Sequence, residues 1–203
     1  MVDKIVLASS NKGKLQEFGE ILAAIDIQLV DQKSLNVSDA DETGLSFVEN
    51  AILKARHACE ITGYPALADD SGLEVDALSG APGIYSSRYS GAGDSANNQK
   101  LLAELAGIRP QQRSARFRCA LVYMRHAKDP TPLICQGTLE GSILETPRGR
   151  AGFGYDPLFL IDPELINGQQ LSAAELTSSQ KHAISHRGQA VSEFVLRIKD
   201  YLR

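Results

Sequence analysis

The apolar positions of the chain change period repeatedly, and each change predicts an element. Ile5, Val6, Leu7 and Ala8 form a continuous apolar run that reads as a buried strand. The run ends in Ser9-Ser10-Asn11-Lys12-Gly13-Lys14, after which Leu15, Phe18, Leu22 and Ile25 recur at helical spacing. Residues 27–30 read as a second strand. Ser46 and Glu49 then stand as N-cap and N3 of a capping box, opening a helix with Val48, Ala51, Ile52 and Ala55 on its buried face. Asn50, Lys54 and His57 fall on another face of that helix. Gly63-Tyr64-Pro65 breaks the chain. A short apolar strand over residues 66–68 is expected to end at Asp69-Asp70, with Gly72 turning the backbone into a separate strand over residues 73–78.

Residues 79–93, rich in Gly, Ser and Tyr, read as one long loop, which in a compact domain is often functional. Residues 97–105 read as a helix with Leu101, Leu102 and Leu105 inward. Residues 115–124 form the longest strand candidate, and residues 133–140 its antiparallel partner across a turn at 126–130. From Ser185 a last helix carries Val191, Phe194, Val195, Ile198 and Leu202 on one face. Parallel connections early and a hairpin later predict an α/β fold with a mixed central β-sheet flanked by helices.

At 203 residues, with 43% hydrophobic and 23% charged positions, the chain is long enough for one sizeable core or two lobes on one sheet. There is no repeat and no Pro-, Gly- or Ser-rich linker, so residues 1–203 are expected to form one domain of two lobes. A formal charge of −4 argues against a general nucleic-acid binder, while local lysines still allow a small anionic ligand. The first seven residues are too short and too charged for a signal peptide. No apolar run approaches the roughly 18 residues of a membrane span, and a cytoplasmic protein without a membrane partner is expected. Cys59, Cys119 and Cys135 lack metal-type spacing and read as buried reduced thiols.

The candidate chemistry lies at the element boundaries. The turn at residues 9–14 aims backbone N–H groups and a helix N-terminus at whatever sits above the first strand, an arrangement that suits phosphate, although the Walker spacing is absent. Asp41, Glu42, Asp69 and Asp70 provide two carboxylate clusters able to share a divalent cation. Taken alone, Asp69-Asp70-Ser71-Gly72 is equally an Asx-type turn. Lys12, Lys14 and Lys54 could hold phosphates. Gly152-Phe153-Gly154-Tyr155-Asp156 suggests close backbone approach to a flat ligand, with Phe153 or Tyr155 as stacking surface. His186 and Arg187 in a helical first turn oppose the helix dipole, which points to ligand binding. Carboxylates, water and substrate phosphates make the usual Mg²⁺ environment, so the residues read as a Mg²⁺-dependent hydrolase of a nucleotide's phosphate chain.

Six motifs in order then resemble those of the inosine triphosphate pyrophosphatase family, in particular its bacterial branch, over essentially the whole chain. They are Ser9-Ser10-Asn11-Lys12-Gly13-Lys14; Glu42-Thr43-Gly44 with Phe47-Val48-Glu49-Asn50-Ala51; Ala68-Asp69-Asp70-Ser71-Gly72; Gly80-Ala81-Pro82-Gly83 with Ser87-Arg88-Tyr89; Gly152-Phe153-Gly154-Tyr155-Asp156-Pro157; and Ser185-His186-Arg187-Gly188. The resemblance implies hydrolysis of noncanonical purine nucleoside triphosphates (dITP, ITP, XTP) to the monophosphate and pyrophosphate. It also implies Mg²⁺, a homodimer, and a substrate cleft between two lobes. By motif, Asp70 is implied as general base, and Asp41 or Glu42 with Asp70 as metal ligands. Ser9, Ser10, Asn11, Lys12, Gly13, Lys14, Lys54 and Ser71 are implied for the phosphates and sugar. Phe153, Gly154, Tyr155, Asp156, Lys181, His186 and Arg187 are implied for the base. The family's usual Glu-Glu-Thr-Gly starts here with the shorter Asp41, which leaves open whether Asp41 or Glu42 reaches the metal.

Overall fold

The computed structural model describes residues 4–11, 13, 18 and 28–201. Six strands form one mixed sheet in the order β2-β1-β3-β4-β5-β6: β1 (Lys4–Leu7), β2 (Gln28–Asp31), β3 (Ala66–Val75), β4 (Ser114–Met124), β5 (Leu133–Ile143) and β6 (Phe159–Ile161). β1 runs parallel to both β2 and β3, and β6 antiparallel to β5. The four regular helices among the described residues are α1 (Phe47–Thr62), α2 (Asp94–Glu104), α3 (Ser178–Ile184) and α4 (His186–Arg197). No helix among these residues is long and apolar enough to cross a membrane.

The chain divides into two compact units, one of residues 1–70, 119–137 and 187–203, the other of residues 71–118 and 138–186. In the first unit, strand alternation sorts the core into two layers. Ile5, Leu7, Leu67, Cys119, Leu121 and Tyr123 pack with Ala190, Val191 and Phe194 of α4 and with Ile198 just after it. The intervening Val6, Ala8, Ala66, Ala68, Ala120 and Val122 pack with Ala51, Ala55, Ala58 and Cys59 of α1. Small residues on both sides of this second layer let α1 lie close to the strands. In the second unit, Leu73, Val75, Phe117, Leu139, Ile143 and Phe159 from the strands enclose Leu101 of α2 and its C-cap residue Leu105 together with Tyr155 and Leu158.

The expected boundaries hold where local chemistry sets them. Ser46 caps α1, its hydroxyl accepting from the Glu49 N–H at 3.3 Å, and the Glu49 carboxylate accepts from the Leu45 N–H at 3.0 Å. The Ser46 hydroxyl, which also donates to the Glu49 carboxylate at 2.8 Å, and then the Leu45 N–H hold the Glu49 carboxyl below the usual range. α1 stops at Gly63, whose N–H donates to the Cys59 carbonyl. The three cysteines are buried and not joined in disulfides, and burial pushes the Cys59 and Cys135 thiols up to about 11.

Three expectations need correction. β3 does not end at Asp69-Asp70; it runs unbroken to Val75, and Gly72 is a strand residue. Two adjacent acids tolerate a strand interior because they point to opposite faces, and Asp70 finds a buried cation on its own face, as described below. Residues 79–93 are not one open loop, since they contain a 3-10 helix over Gly83–Arg88. Ser86 organises it, its hydroxyl accepting from the Leu73 N–H at 2.8 Å and donating to the Gly83 carbonyl. α3 and β6 were not foreseen: both are short, and neither has enough length for a periodic signal. The helix expected from Leu15, Leu22 and Ile25 lies outside the described residues, apart from Phe18, which is helical and fully buried.

The turn between β4 and β5 rests on Asp129. Its carboxylate accepts from the Arg125 backbone N–H, the Arg125 guanidinium and the Thr131 N–H, at 2.5–3.0 Å. The Arg125 guanidinium holds this buried carboxyl well below the usual carboxylate range, with the backbone bonds adding to the effect. A depressed folded-state pKa gives stability that is full above the unfolded value near 4 and is lost as pH falls through the folded value. Because Arg125 is half exposed, Asp129→Asn should cost about 1–2 kcal/mol at neutral pH. The difference from the unaltered protein should shrink steadily below about pH 4. Urea unfolding across pH 2–7 checks this; a pH-independent difference would contradict it.

Candidate active site

The clearest concentration of charge within one unit lies where α1 faces β3. Asp70 shares its face of the strand with Ala66 and Ala68, on the α1 side, while Asp69 shares Leu67's face, on the α4 side. The two acids are 1% and 6% exposed, so both carboxylates are removed from bulk water. Lys54 of α1 reaches Asp70 Oδ1 with its ammonium at 2.9 Å and Glu42 Oε1 at 3.0 Å. Burial alone would depress this lysine, yet Asp70, Asp69 and Glu42 together outweigh that and hold its pKa above the usual value. One turn earlier on α1, the fully buried Asn50 uses both ends of its amide. Its Oδ1 accepts from the Gly44 N–H at 2.8 Å, and its Nδ2 lies 3.4 Å from Asp70 Oδ2, a long bond. The helix thus ties the acidic loop at residues 41–44 to the strand carboxylate.

Gly44 is required by this tie. A Cβ there would stand 2.6 Å from Glu49 Cβ and 2.8 Å from Asn50 Oδ1. Asp41, one residue before Glu42, is exposed and makes no side-chain hydrogen bond or ion pair among the described residues. Glu42 therefore offers an oxygen beside Asp70's anchor, engaged by Lys54, while Asp41 is exposed to solvent.

The turn after β1 is seen in part. Ser9 and Ser10 are half-buried, and the exposed Asn11 donates its N–H to Ser9 Oγ at 3.3 Å. Gly13 is helical, within the stretch expected to be a turn. Lys12 and Lys14 lie outside the described residues.

The second unit holds a second group of expected residues. Asp156, 4% exposed, folds its carboxylate back to accept from the Phe153 N–H at 2.9 Å and from the Lys181 ammonium at 2.8 Å. The same ammonium lies 4.8 Å from the Phe153 ring centroid. Gly152 has φ +78°, and a Cβ on it would collide with the Asp156 carboxylate, so the glycine is set by close approach as well as by backbone conformation. Of the two aromatics offered as a stacking face, Tyr155 is spent internally. Its ring is in the core and its hydroxyl donates to the Ser86 carbonyl at 2.8 Å. Phe153 is half-buried and keeps ring surface available. Ser71, also of this unit, is half-buried in β3. His186 is 3% exposed and stacks on Phe117, with centroids 4.9 Å apart. Arg187, first residue of the next segment of the first unit, is 6% exposed. Both begin α4, as expected.

Sequence reasoning had read Asn50 as part of a polar helix face. Its i, i+4 spacing with Lys54 is the signal that could have placed it at the site.

A metal fits the first cluster by donor chemistry. The donors on offer are carboxylate oxygens already arranged around a positive charge, the Lys54 ammonium. Among the described residues no group of three or more His, Cys, Asp or Glu is placed to hold a metal ion, so a cation here would take most of its ligands from water or substrate. That is the habit of Mg²⁺, which usually keeps waters and binds through one or two carboxylates and phosphates.

An α/β fold that buries a carboxylate–lysine cluster beside an acidic loop, and carries a glycine–aromatic loop besides, has the form of a phosphate-ester or anhydride hydrolase. Comparison with known proteins is more specific. The Ham1 family profile matches residues 5–196, and the chain belongs to that family. It is similar to the dITP/XTP pyrophosphatase of Shigella flexneri, 56% identical over 192 residues, covering 94% of this chain and 95% of that protein. The dITP/XTP pyrophosphatase of Yersinia pseudotuberculosis is 55% identical over 201 residues, covering 98% and 100%. The solved structure of a HAM1 protein from Coxiella burnetii matches with TM-score 0.88 and 48% identity, covering 97% of this chain and 98% of that one.

The Asn50 tie predicts that Gly44→Ala forces the acidic loop away from α1. Overpacking of this kind should cost about 1–3 kcal/mol. Urea unfolding measures the loss; a variant as stable as the unaltered protein would mean that the loop is not held by this contact.

Proposed function

We propose that this protein is a nucleoside triphosphate pyrophosphatase that hydrolyses noncanonical purine nucleotides (dITP, ITP, XTP) to the monophosphate and pyrophosphate, with Mg²⁺. The observation that carries the reading is the buried Asp70 held between Lys54 and Asn50, in a chain more than half identical to dITP/XTP pyrophosphatases. Residues 1–203 act as one catalytic domain, working as a cytoplasmic homodimer.

Asp70 is the general base. Its carboxylate takes a proton from water as the water oxygen forms a bond to the α-phosphorus. The bond from that phosphorus to the bridging oxygen breaks, and pyrophosphate leaves with the electron pair. Asp70 with one of the loop acids, Asp41 or Glu42, would hold Mg²⁺, which when bound supplies charge neutralisation for the triphosphate. Lys54 pairs with Asp70 and adds positive charge for the phosphates. Ser9, Ser10, Asn11, Lys12, Gly13, Lys14 and Ser71 contact the phosphates and sugar, the turn contributing backbone N–H groups. Asp69, on the opposite strand face, supports Asp70's position.

Phe153 offers the stacking face for the base, and Gly154, Tyr155 and Asp156 fix its loop. Lys181, His186 and Arg187 supply donors. Hypoxanthine and xanthine carry a 6-oxo acceptor where adenine carries an amino donor. Donors in a desolvated site therefore favour the former and leave adenine badly paired.

Incubation with ITP, XTP and ATP plus Mg²⁺, followed by separation of products, tests the reading. IMP and pyrophosphate should form from ITP, with ATP turned over far more slowly; IDP and orthophosphate would contradict it. Asp70→Asn should lower kcat about 10²-fold or more, and a near-normal rate would remove the base assignment. Either Asp41→Asn or Glu42→Gln should raise the Mg²⁺ concentration needed for half-maximal activity, and the one that does identifies the loop ligand. An unchanged requirement in both would place the metal elsewhere.

A further inference from the structure

The first turn of α2 makes contacts that serve another part of its unit rather than its own helix. α2 is capped by Gly93 with no side-chain cap bond, although Asp94 is its first residue. The Asp94 carboxylate instead accepts from the N–H of Gly154 at 2.8 Å, sixty residues along the chain. On the same helix, Asn98 donates its Nδ2 to the carbonyl of Gly154, also at 2.8 Å. Both backbone polar groups of this one glycine are therefore held by side chains of α2. The remaining amide oxygen of Asn98 is shielded from solvent and has no donor among the described residues. A shielded acceptor without a partner is a cost that calls for an explanation. Turning the amide over would place that oxygen against the Gly154 carbonyl, so holding the peptide fixes the orientation. Asn97 does parallel work on the neighbouring segment, accepting from Ser90 and donating to the Ser86 and Ser87 carbonyls.

We infer that Asp94 and Asn98 are positioning residues for base recognition, a pair that clamps the Gly154 peptide and so sets Phe153 and Asp156 on either side of it. This rests on the proposed role of the glycine–aromatic loop. Within the loop, the Phe153 N–H donates to Asp156, Lys181 pairs with Asp156, the Asp156 N–H donates to the Phe153 carbonyl, and Tyr155 anchors in the core. The Phe153–Gly154 peptide is thus held from within by its carbonyl, Asp94 adds a hold on its N–H, and Asn98 holds the carbonyl of the Gly154–Tyr155 peptide. With both peptides fixed, the Phe153 ring and the Lys181–Asp156 pair are presented without an ordering cost when a base arrives. Releasing it leaves the chemistry at Asp70 untouched, and the penalty falls on binding and on discrimination between bases.

The test is steady-state hydrolysis of ITP and ATP with Mg²⁺ by the unaltered protein and by Asn98→Ala, Asp94→Ala and Asp94→Asn, with thermal midpoints recorded alongside. Asn98→Ala and Asp94→Ala should raise KM for ITP about five- to tenfold, with kcat within about twofold, and lower the ITP-to-ATP preference. Asp94→Asn keeps an oxygen acceptor for the Gly154 N–H while losing the charge that favours the α2 N-terminus, so its KM should stay near that of the unaltered protein. If Asn98→Ala fails to fold, the two Asp94 variants decide. Unchanged KM and preference in the alanine variants, or equal impairment of Asp94→Asn and Asp94→Ala, would overturn the clamp while leaving the activity in place. Failure of the unaltered protein to hydrolyse ITP would instead remove the functional reading, and this inference with it.

Discussion

The arrangement of the first unit depends on pairing Asp70, a carboxylate almost wholly withdrawn from water, with a cation. A carboxylate in that situation neutralises itself unless a cation and hydrogen-bond donors stand against it. The Lys54 ammonium at 2.9 Å meets that need, and it is itself buried and held protonated by the acids around it. Neither partner is tolerable there alone. The constraint propagates outward. α1 must lie close enough for a lysine to reach the strand, which the alanines on both surfaces permit, and the acidic loop must be tied down so that Glu42 completes the pair.

The second unit follows a similar rule with a different residue at its centre. Asp156 is buried beneath its own loop and satisfied by Lys181 and by the backbone of Phe153, and the glycine at 152 exists because that carboxylate occupies the space. Phe153 is left with ring surface while Tyr155 anchors the loop into the core. In each unit a buried acid paired with a lysine organises the backbone, and the exposed chemistry is built on that frame.

Much of this was legible in the residues because it is local. Ser46 and Glu49 announce a helix start, Gly63-Tyr64-Pro65 its end, and the turn between β4 and β5 lies between the two longest alternating runs. The reach of β3 was not legible. Asp69-Asp70-Ser71-Gly72 has turn composition, and only a lysine sixteen residues earlier, brought in by α1, makes a continuous strand affordable there. The roles of Asn50, Asp94 and Asn98 were hidden for the same reason: a polar residue on a helix reads as solvated until the fold shows what faces it. Tyr155 and Phe153 were indistinguishable by type, and the Ser86 carbonyl, 69 residues away, decides between them.

The central claim is that water, activated at Asp70, attacks the α-phosphorus of the triphosphate. Hydrolysis of ITP in ¹⁸O-labelled water, with mass analysis of both products, tests it most directly. The account predicts one labelled oxygen in the nucleoside monophosphate and none in pyrophosphate. Label in the pyrophosphate would place the attack on the β-phosphorus and contradict the assignment.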